Sequence, residues 1–240
     1  MSQLHSSSQT TLDERVQSDG TPPDLFARLS VPVFLTWISV LAPLLLFGLL
    51  VKDVASRESL RFDTPVLLDL HARSTPFFDS LMLAFTWLGG VRLLAFSVLV
   101  MAWLWWRKQR FPALFLLSAM VGTSLLNLSM KAAFQRARPN LWLSLTPEHD
   151  YGFPSGHSMI SCTFVLAMLV LLWKSAGSST LKWRATSLGL LFVAGVGLSR
   201  LYLGVHYPSD VLAGWSASMA YAALLERVFH RRFVGTRAAN

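Results

Sequence analysis

Charged residues and cysteine are both scarce in this chain. Only 14% of its 240 residues are charged and 53% are hydrophobic, whereas roughly a quarter of the residues in a soluble domain are charged. The single cysteine, Cys162, lies in an apolar run and excludes an intrachain disulfide framework and a cysteine-rich metal site. Because no Ser/Gly/Pro-rich linker divides the apolar runs, the composition predicts a single helical membrane domain.

The basic residues do not form a domain of their own. The formal net charge is +8, but Lys and Arg collect in short connections between the apolar runs. This placement is typical of cytoplasmic loops under the positive-inside rule. We therefore expect membrane lipids as partners and no nucleic acid, and nothing in the sequence indicates an obligate protein partner.

Six apolar runs are candidates for membrane spans, which need about 20 residues to cross a hydrocarbon core of ~30 Å. They cover residues 31–51, 77–106, 112–130, 156–173, 185–198 and 211–225. The second is long enough to project beyond the bilayer and contains Gly89-Gly90 and Arg92, a charge that we expect to snorkel or to face the bundle interior. The sequence therefore predicts an all-α fold, a six-transmembrane helical bundle.

The segment between the first two spans, Lys52 to Pro76, mixes charges with apolar pairs at helical spacing. This pattern favours an amphipathic helix at the membrane surface, with an ordinary loop as the alternative. Residues 31–228 form the predicted membrane domain. Residues 1–30 are expected to be a disordered polar tail and residues 229–240 a basic tail.

The sidedness of the bundle can be predicted from the basic connections that carry no motif. Residues 107–110, residues 174–184 and the C-terminal tail fall on one side of a six-span bundle. The positive-inside rule makes that side cytoplasmic, so we expect both termini in the cytoplasm and the protein in the plasma (inner) membrane. The connections at 131–157 and 199–210 then form, with the surface helix, an extracytoplasmic interfacial region.

The first motif is a basic segment at the end of the third span. Lys131, Arg136 and Arg138 precede Pro139, and Lys131 and Arg138 are nearly two helical turns apart. This spacing can direct both of these cations toward one pocket, and the three basic groups at the membrane edge together predict an anion clamp. A plain anchor for anionic lipid headgroups is the alternative interpretation of these residues alone.

The second motif, Pro154-Ser155-Gly156-His157, opens the fourth span. Ser155 is a candidate N-cap, and the free amides near Gly156 would face an anion at the positive end of the helix dipole. Glycine permits close approach of the backbone to that anion. The alternative is a helix cap followed by an interfacial histidine, His157.

The third motif is a polar interruption between the last two spans. It contains Arg200, His206 and, four residues later, Asp210. A carboxylate at this spacing can accept the proton of one imidazole nitrogen and leave the other nitrogen free to attack. The alternative is a polar turn with a structural hydrogen bond between the histidine and the aspartate.

The three motifs, in this order, resemble a known set of signatures. Lys131-x6-Arg138-Pro139, Pro154-Ser155-Gly156-His157 and Ser199-Arg200-x5-His206-x3-Asp210 are similar to the signature motifs of the type 2 phosphatidic acid phosphatase superfamily. No motif position departs from that pattern. Soluble members of the superfamily lack six apolar spans, so the resemblance is to its integral-membrane lipid phosphatases.

The resemblance implies a role for each motif residue. His206 would attack phosphorus and form a phosphohistidine, Asp210 would orient it, and His157 would protonate the leaving oxygen and then activate water. The phosphoryl oxygens would be held by Lys131, Arg138, Ser155, Gly156 and Arg200. The family needs no cofactor or metal, and the motifs contain no cluster of carboxylates suited to magnesium.

The expected activity is hydrolysis of a lipid phosphate or diphosphate of the undecaprenyl diphosphate, phosphatidylglycerol phosphate or phosphatidic acid class. A lipid phosphotransferase that uses the same phosphohistidine is the alternative, and a non-catalytic lipid binder or transporter is a further one. Between the first two motifs, Trp142, His149 and Asp150 are candidates for a headgroup pocket or for an ordinary surface loop.

Two catalytic histidines without a metal predict a bell-shaped dependence of activity on pH that EDTA does not alter. The measurement is phosphate release by the purified protein across a range of pH, with and without the chelator. A strict requirement for magnesium would contradict this interpretation of the motifs.

Overall fold

Eight helices make up the part of the chain that the structure describes. The computed structural model covers residues 25–55 and 60–238, with side chains described at 37–54 and 60–230. In chain order the helices are α1 (Leu25–Ala55), α2 (Asp63–Ala72), α3 (Pro76–Gly89), α4 (Val91–Trp106), α5 (Arg110–Phe134), α6 (Gly156–Lys174), α7 (Ser179–Tyr202) and α8 (Pro208–Ala238). These residues contain no β-strand, so the all-α prediction is confirmed for them.

The chain divides into two units near residue 38. Of the first unit the structure describes only residues 25–38, which are turns of α1. The second unit begins at Ser39 and contains the remaining helices. Of the predicted N-terminal tail, residues 1–30, the first 24 residues lie outside the described part of the chain. At the other end of the chain, α8 continues into the predicted basic tail as far as Ala238.

Four helices are long and apolar enough to cross a membrane, namely α5, α6, α7 and the Trp37–Val54 part of α1. The pair of α3 and α4, bent by 44° at its break, makes a fifth span if it crosses as one. The sixth predicted span, residues 211–225, lies within α8, where alanine, glycine and serine dilute the apolar residues. Length and composition of the described helices therefore support four or five spans, and the predicted count of six is not confirmed.

Large apolar side chains cover the outer faces of the candidate spans. More than half of the surface is exposed for Leu45 of α1, Leu99 of α4, Leu128 of α5 and Leu191 of α7. Such exposure is unfavourable in water and is expected where lipid surrounds a helix. The outer surface of the helices is therefore suited to a bilayer.

Helix α6 lies at the centre of the second unit and packs against α5, α7 and α8. An apolar cluster around Phe115 and Leu116 of α5 joins α4, α5, α6 and α8. Between α5 and α6, the buried hydroxyls of Thr123 and Thr163 share a hydrogen bond of 3.0 Å, which satisfies polar groups that have no access to water. This packing brings the first turn of α6 beside the ends of its neighbours, where the motif residues lie.

The second predicted span is two helices rather than one, because the chain breaks at Gly90. Gly90 leaves room for the imidazole of His157, since a Cβ at this position would lie 2.5 Å from Nε2. Arg92, just beyond the break, is exposed and stacks over Trp87 at 4.2 Å from the ring centroid. Arg92 therefore points outward and does not face the bundle interior.

The helix predicted between the first two spans is present as α2, which is shorter than the segment 52–76. It packs against α7 and α8 with Leu67 fully buried, whereas 51% of the surface of Leu68 is exposed. Its first residue, Asp63, is fully buried despite its charge. One face of α2 is therefore attached to the bundle close to the third motif.

Close helix contact at a glycine provides a stability prediction. In Gly89→Ala the new Cβ would lie 2.5 Å from Cγ1 of Val196, a fully buried, β-branched side chain that has little freedom to move. We expect a loss of roughly 1–3 kcal/mol in the free energy of unfolding, measured as a lower midpoint of thermal unfolding in detergent. Gly48→Ala is the matched control, because nothing lies within 4 Å of a Cβ there. Equal effects of the two changes would contradict the packing argument.

Candidate active site

The three motifs meet where the ends of α5 and α7 come together with the starts of α6 and α8. Helix α5 ends at Phe134, and Gln135 takes up a left-handed conformation with φ 45°. Lys131 and Arg138 are therefore not on one helix, although their spacing allowed it. Both donate to the carboxylate of Asp150, which brings the two cations together.

Arg138 contacts the imidazole of His206 directly. Its Nη1 lies 2.9 Å from Nε2 of His206 and donates to the carbonyl oxygen of Val205 at 2.7 Å. A guanidinium has only donors, so Nε2 must accept. The proton of a neutral His206 ring is therefore on Nδ1, and the lone pair of Nε2 faces the cations.

The other ring nitrogen of His206 faces Asp210. Nδ1 lies 3.5 Å from Oδ2 of Asp210 and has no hydrogen-bond partner among the residues that the structure describes. The same Oδ2 accepts the N–H of Tyr207 at 2.8 Å. The carboxylate thus lies beside Nδ1, a few tenths of an ångström beyond ordinary hydrogen-bond range.

The surroundings of His206 keep its ring neutral. Only 1% of its surface is exposed, and this burial lowers the pKa of His206 well below 6.5. The neighbouring cations Arg200, Arg138 and Lys131 lower that pKa further. The neutral ring retains the lone pair that nucleophilic attack requires.

Ser155 caps α6, as predicted. Its hydroxyl accepts the N–H of Ser158 at 3.5 Å, and its own N–H donates to the carbonyl oxygen of Asp210 at 3.1 Å. Gly156 lies against Asn127, whose Oδ1 would be 3.1 Å from a Cβ at that position. Because Ser155 is fully buried, its hydroxyl serves the cap, and the cap is fixed to the first turn of α8.

His157 lies in the first turn of α6, and its Nε2 is against Gly90 at the break between α3 and α4. The side chain is half-buried. Arg200, Glu148 and Arg138 are the charges that act on it most strongly. The second motif histidine therefore shares its surroundings with the cations that approach His206.

Arg200 is almost completely buried and divides its donors between Thr86 of α3 and Glu148. Glu148 also binds Arg138 at 2.6 Å. Burial raises the pKa of Glu148, but Arg200 and Arg138 more than offset this rise, so the pKa lies below its ordinary value. Glu148 is therefore a charged bridge between two motif cations.

The three motif cations are all paired with carboxylates from the segment between the first two motifs. Lys131 pairs with Asp150, Arg200 pairs with Glu148, and Arg138 pairs with both. The two carboxylates thus occupy donors that a phosphate would use. Sequence reasoning missed Glu148, since it belongs to no motif, and had placed Asp150 only as a candidate for a pocket.

Arg136 does not join this cluster, although it belongs to the same basic segment. Its guanidinium binds Asp63 at 2.8 Å, binds Asp210, and lies over the ring of Tyr207 at 4.5 Å from the centroid. The anion clamp expected from the three cations of the first motif therefore contains only two of them. The third cation, Arg136, instead binds the carboxylate of Asp210 beside His206.

A cavity of about 440 Å³ opens beside Arg138. Two of the three candidates for a headgroup pocket, Trp142 and His149, line it, whereas Asp150 is engaged with the motif cations. Trp142 stacks on His71 of α2 with ring centroids 4.1 Å apart. The cavity provides space next to the cations for the group attached to a phosphate.

The positive charge at the site comes from side chains of the protein. Lys131, Arg138 and Arg200 all act on His206, and fixed cations of this kind can stabilise charge on phosphoryl oxygens. Within the residues covered by the structure, no group of three or more His, Cys, Asp or Glu side chains is arranged to hold a metal ion.

Comparison with known proteins finds relatives over most of the chain. The family model described as the PAP2 superfamily matches residues 112–233, slightly more than half of the chain. Phosphatidylglycerophosphatase B of Bacillus subtilis (strain 168) is 31% identical over 146 residues, which cover 60% of this chain and 71% of that protein. The lipid A 1-phosphatase of Rhizobium johnstonii is 25% identical over 245 residues, with 92% of this chain and 88% of that protein covered.

A solved structure has the same fold. It is the crystal structure of the first transmembrane PAP2 type phosphatidylglycerolphosphate phosphatase from Bacillus subtilis, with a TM-score of 0.70 and 26% sequence identity. The similarity covers 79% of this chain and 96% of that chain. This similarity and the apolar helices described above indicate that the protein is an integral membrane protein. All three motifs lie within the region that the family model matches. The chain therefore belongs to the PAP2 superfamily and is a membrane-embedded hydrolase of phosphoric esters.

Proposed function

We propose that the protein hydrolyses a phosphate monoester or diphosphate on a membrane lipid through a phosphohistidine at His206. The observation that carries this proposal is the contact of Arg138 with Nε2 of His206, which leaves the lone pair of a neutral imidazole facing the motif cations. Those cations can hold the phosphoryl oxygens in front of the lone pair and stabilise the charge of the transition state without a metal.

The reaction has two steps. In the first, the lone pair of Nε2 of His206 forms a bond to phosphorus while the bond between phosphorus and the lipid oxygen breaks. His157 donates a proton to the departing oxygen, so the lipid leaves as an alcohol or, from a diphosphate, as a monophosphate. The negative charge of the bound phosphate favours the protonated His157 that this step needs, against the surrounding cations.

In the second step, His157 takes a proton from water as the water oxygen attacks phosphorus and the N–P bond breaks. The products are inorganic phosphate and neutral His206. Between the two steps the phosphorylated imidazole is positively charged, because its Nδ1 retains the proton. Asp210 would stabilise this charge from the side of Nδ1.

Substrate binding requires a change of partners at the cations. In the free protein, Glu148 and Asp150 occupy donors of the motif cations. Their side chains are 26% and 59% exposed, so they can move toward solvent while the phosphoryl oxygens take their place. Because a carboxylate and a phosphate repel each other, Glu148 competes with the substrate for Arg138 and Arg200.

The proposed substrate is a lipid whose tails remain in the bilayer while its phosphate reaches the cations. Undecaprenyl diphosphate, phosphatidylglycerol phosphate and phosphatidic acid are the candidate classes. The relatives are named for different lipids, phosphatidylglycerophosphate and lipid A, which supports lipid phosphates as the class. We place the site on the extracytoplasmic face of the plasma (inner) membrane and both termini in the cytoplasm, with residues 211–225 of α8 as the sixth span, because the basic connections without a motif share the other side.

Replacement of His206 by alanine tests the mechanism. We expect His206→Ala to release no phosphate above background, because phosphorus then has no nucleophile, while thermal unfolding shows that the variant remains folded. His230→Ala, which changes an exposed histidine of α8, is the control and should release phosphate at the rate of the wild type. Phosphate release at that rate by His206→Ala would refute the phosphohistidine.

The same assay separates the hydrolase from a phosphotransferase. Purified wild-type protein is incubated in detergent with a panel of lipid monophosphates and diphosphates, and no acceptor is added. A hydrolase releases inorganic phosphate under these conditions, whereas a transferase requires an acceptor lipid or sugar. The relative rates across the panel identify the lipid class.

Glu148→Gln tests whether the carboxylate competes with phosphate. A neutral glutamine of the same shape should leave Arg138 and Arg200 freer to bind an anion. We expect the inhibition constant of orthovanadate to fall roughly tenfold, or about 1.4 kcal/mol, measured by inhibition of phosphate release. Glu226→Gln is the matched control, since Glu226 pairs with Lys174 at the other end of α6. Weaker inhibition in Glu148→Gln would mean that Glu148 holds the arginines in place instead.

A further inference from the structure

Asp63 is a buried carboxylate that belongs to none of the three motifs. It is the first residue of α2, and none of its surface is exposed. Its Oδ1 accepts the N–H of Ser209 at 3.0 Å, and its Oδ2 accepts the Ser209 hydroxyl at 2.6 Å and a guanidinium N–H of Arg136 at 2.8 Å. A charge is stable in such a place only when its partners compensate for lost hydration. These partners adjoin Asp210.

Arg136 connects Asp63 to Asp210. Its Nη2 binds Asp63, and its Nη1 binds Oδ1 of Asp210 and the Ser209 hydroxyl, the latter at 2.7 Å. Burial lowers the pKa of Arg136, but the carboxylates of Asp210 and Asp63 more than offset this, so the pKa lies above its ordinary value. Arg136 is therefore a fixed cation between two buried anions.

Asp210 uses its two oxygens for different partners. Oδ1 faces Arg136, whereas Oδ2 accepts the N–H of Tyr207 at 2.8 Å and lies 3.5 Å from Nδ1 of His206. A carboxylate is planar, so an anchor on one oxygen restricts where the other can point. The direction of Oδ2 toward His206 is set from the opposite side by Arg136.

We infer that Asp63 and Arg136 are positioning residues for the nucleophile. Asp63 holds Arg136 and Ser209, and these hold the carboxylate of Asp210 charged and directed at Nδ1 of His206, where it stabilises the positive charge of the phosphorylated ring. The inference rests on the proposed function of His206. Helix α2 lies outside the region matched by the family model. The inference gives its first residue, Asp63, a role in the covalent step at His206.

Electrostatics distinguishes this role from simple packing. Asp210 precedes the predicted span 211–225, and burial raises the pKa of Asp210 to about 7. Arg136 and the Tyr207 N–H oppose that rise, whereas Asp63 adds to it. His206 and the phenol of Tyr207 are further titratable groups close to the carboxylate. Loss of the Arg136 charge should therefore raise the pKa of Asp210, and loss of the Asp63 charge should lower it.

The test compares the pH dependence of kcat/KM for phosphate release in Arg136→Gln and Asp63→Asn. The acid limb requires a charged Asp210 as well as a neutral His206. We therefore expect it to move up by about one pH unit in Arg136→Gln, because Asp210 keeps its proton to a higher pH, and to move down in Asp63→Asn. In both variants kcat should fall roughly 10- to 100-fold, with KM changed less than about twofold because the phosphate cations are intact. Arg136→Lys should restore part of the rate, since it keeps the charge.

Arg73→Gln is the matched control, because Arg73 pairs with Asp69 at the exposed end of the same helix. It should leave both kcat and the acid limb unchanged. A merely structural role of Asp63 and Arg136 would reduce the folded fraction without moving the limb, and that result would overturn the inference. If Arg136→Gln does not fold, Asp63→Asn carries the test alone, and an acid limb that does not move down in that variant would overturn the inference. Activity in His206→Ala would instead overturn the proposed function, so the two failures are distinguishable.

Discussion

The contact between Arg138 and His206 is the constraint on which the rest of the site depends. A guanidinium can only donate, so its approach to Nε2 keeps a lone pair there and puts the ring proton on the side of Asp210. Burial holds the pKa of His206 well below its ordinary value, and Arg200 and Arg138 lower that pKa further. The reversed tautomer would present a proton to phosphorus, and a protonated ring would have no lone pair to give. The contact therefore selects the nitrogen that attacks, while burial and the surrounding cations keep the ring in the protonation state in which it can attack.

Charge balance follows from that constraint, because cations beside a buried histidine need anions when no substrate is bound. On the substrate side, Glu148 and Asp150 supply them from partly exposed positions. Behind the histidine, Asp63 and Asp210 share Arg136, and both carboxylates are fully buried. The first pair of carboxylates can exchange with a phosphate, since water is available to receive them. Asp63 and Asp210 have no access to water, so their contacts with Arg136 persist when a phosphate replaces Glu148 and Asp150 at the other cations.

The motif residues could be predicted from the sequence because each lies at the edge of an apolar run, where local rules apply. The N-cap at Ser155 is an example, since a serine before an apolar run has one common use. Glu148 and Thr86 could not be predicted as partners of Arg200, because they are far from it in the chain and no periodicity reports such contacts. Arg136 was assigned to the wrong neighbours for a related reason: sequence proximity to Lys131 and Arg138 says nothing about the direction of a side chain once the helix has ended.

The break between α3 and α4 affects both the packing of these helices and the space available to His157. In the sequence, Gly89-Gly90 is only an interruption in an apolar run, and glycine in such a run commonly serves close helix packing. Gly89 does so against Val196 of α7, but Gly90 leaves room for the imidazole of His157. A side chain at residue 90 would have to displace either the helix or the imidazole. Gly89 therefore allows the close packing of the helix pair on α7, and Gly90, the next residue, leaves the space that the proposed acid occupies.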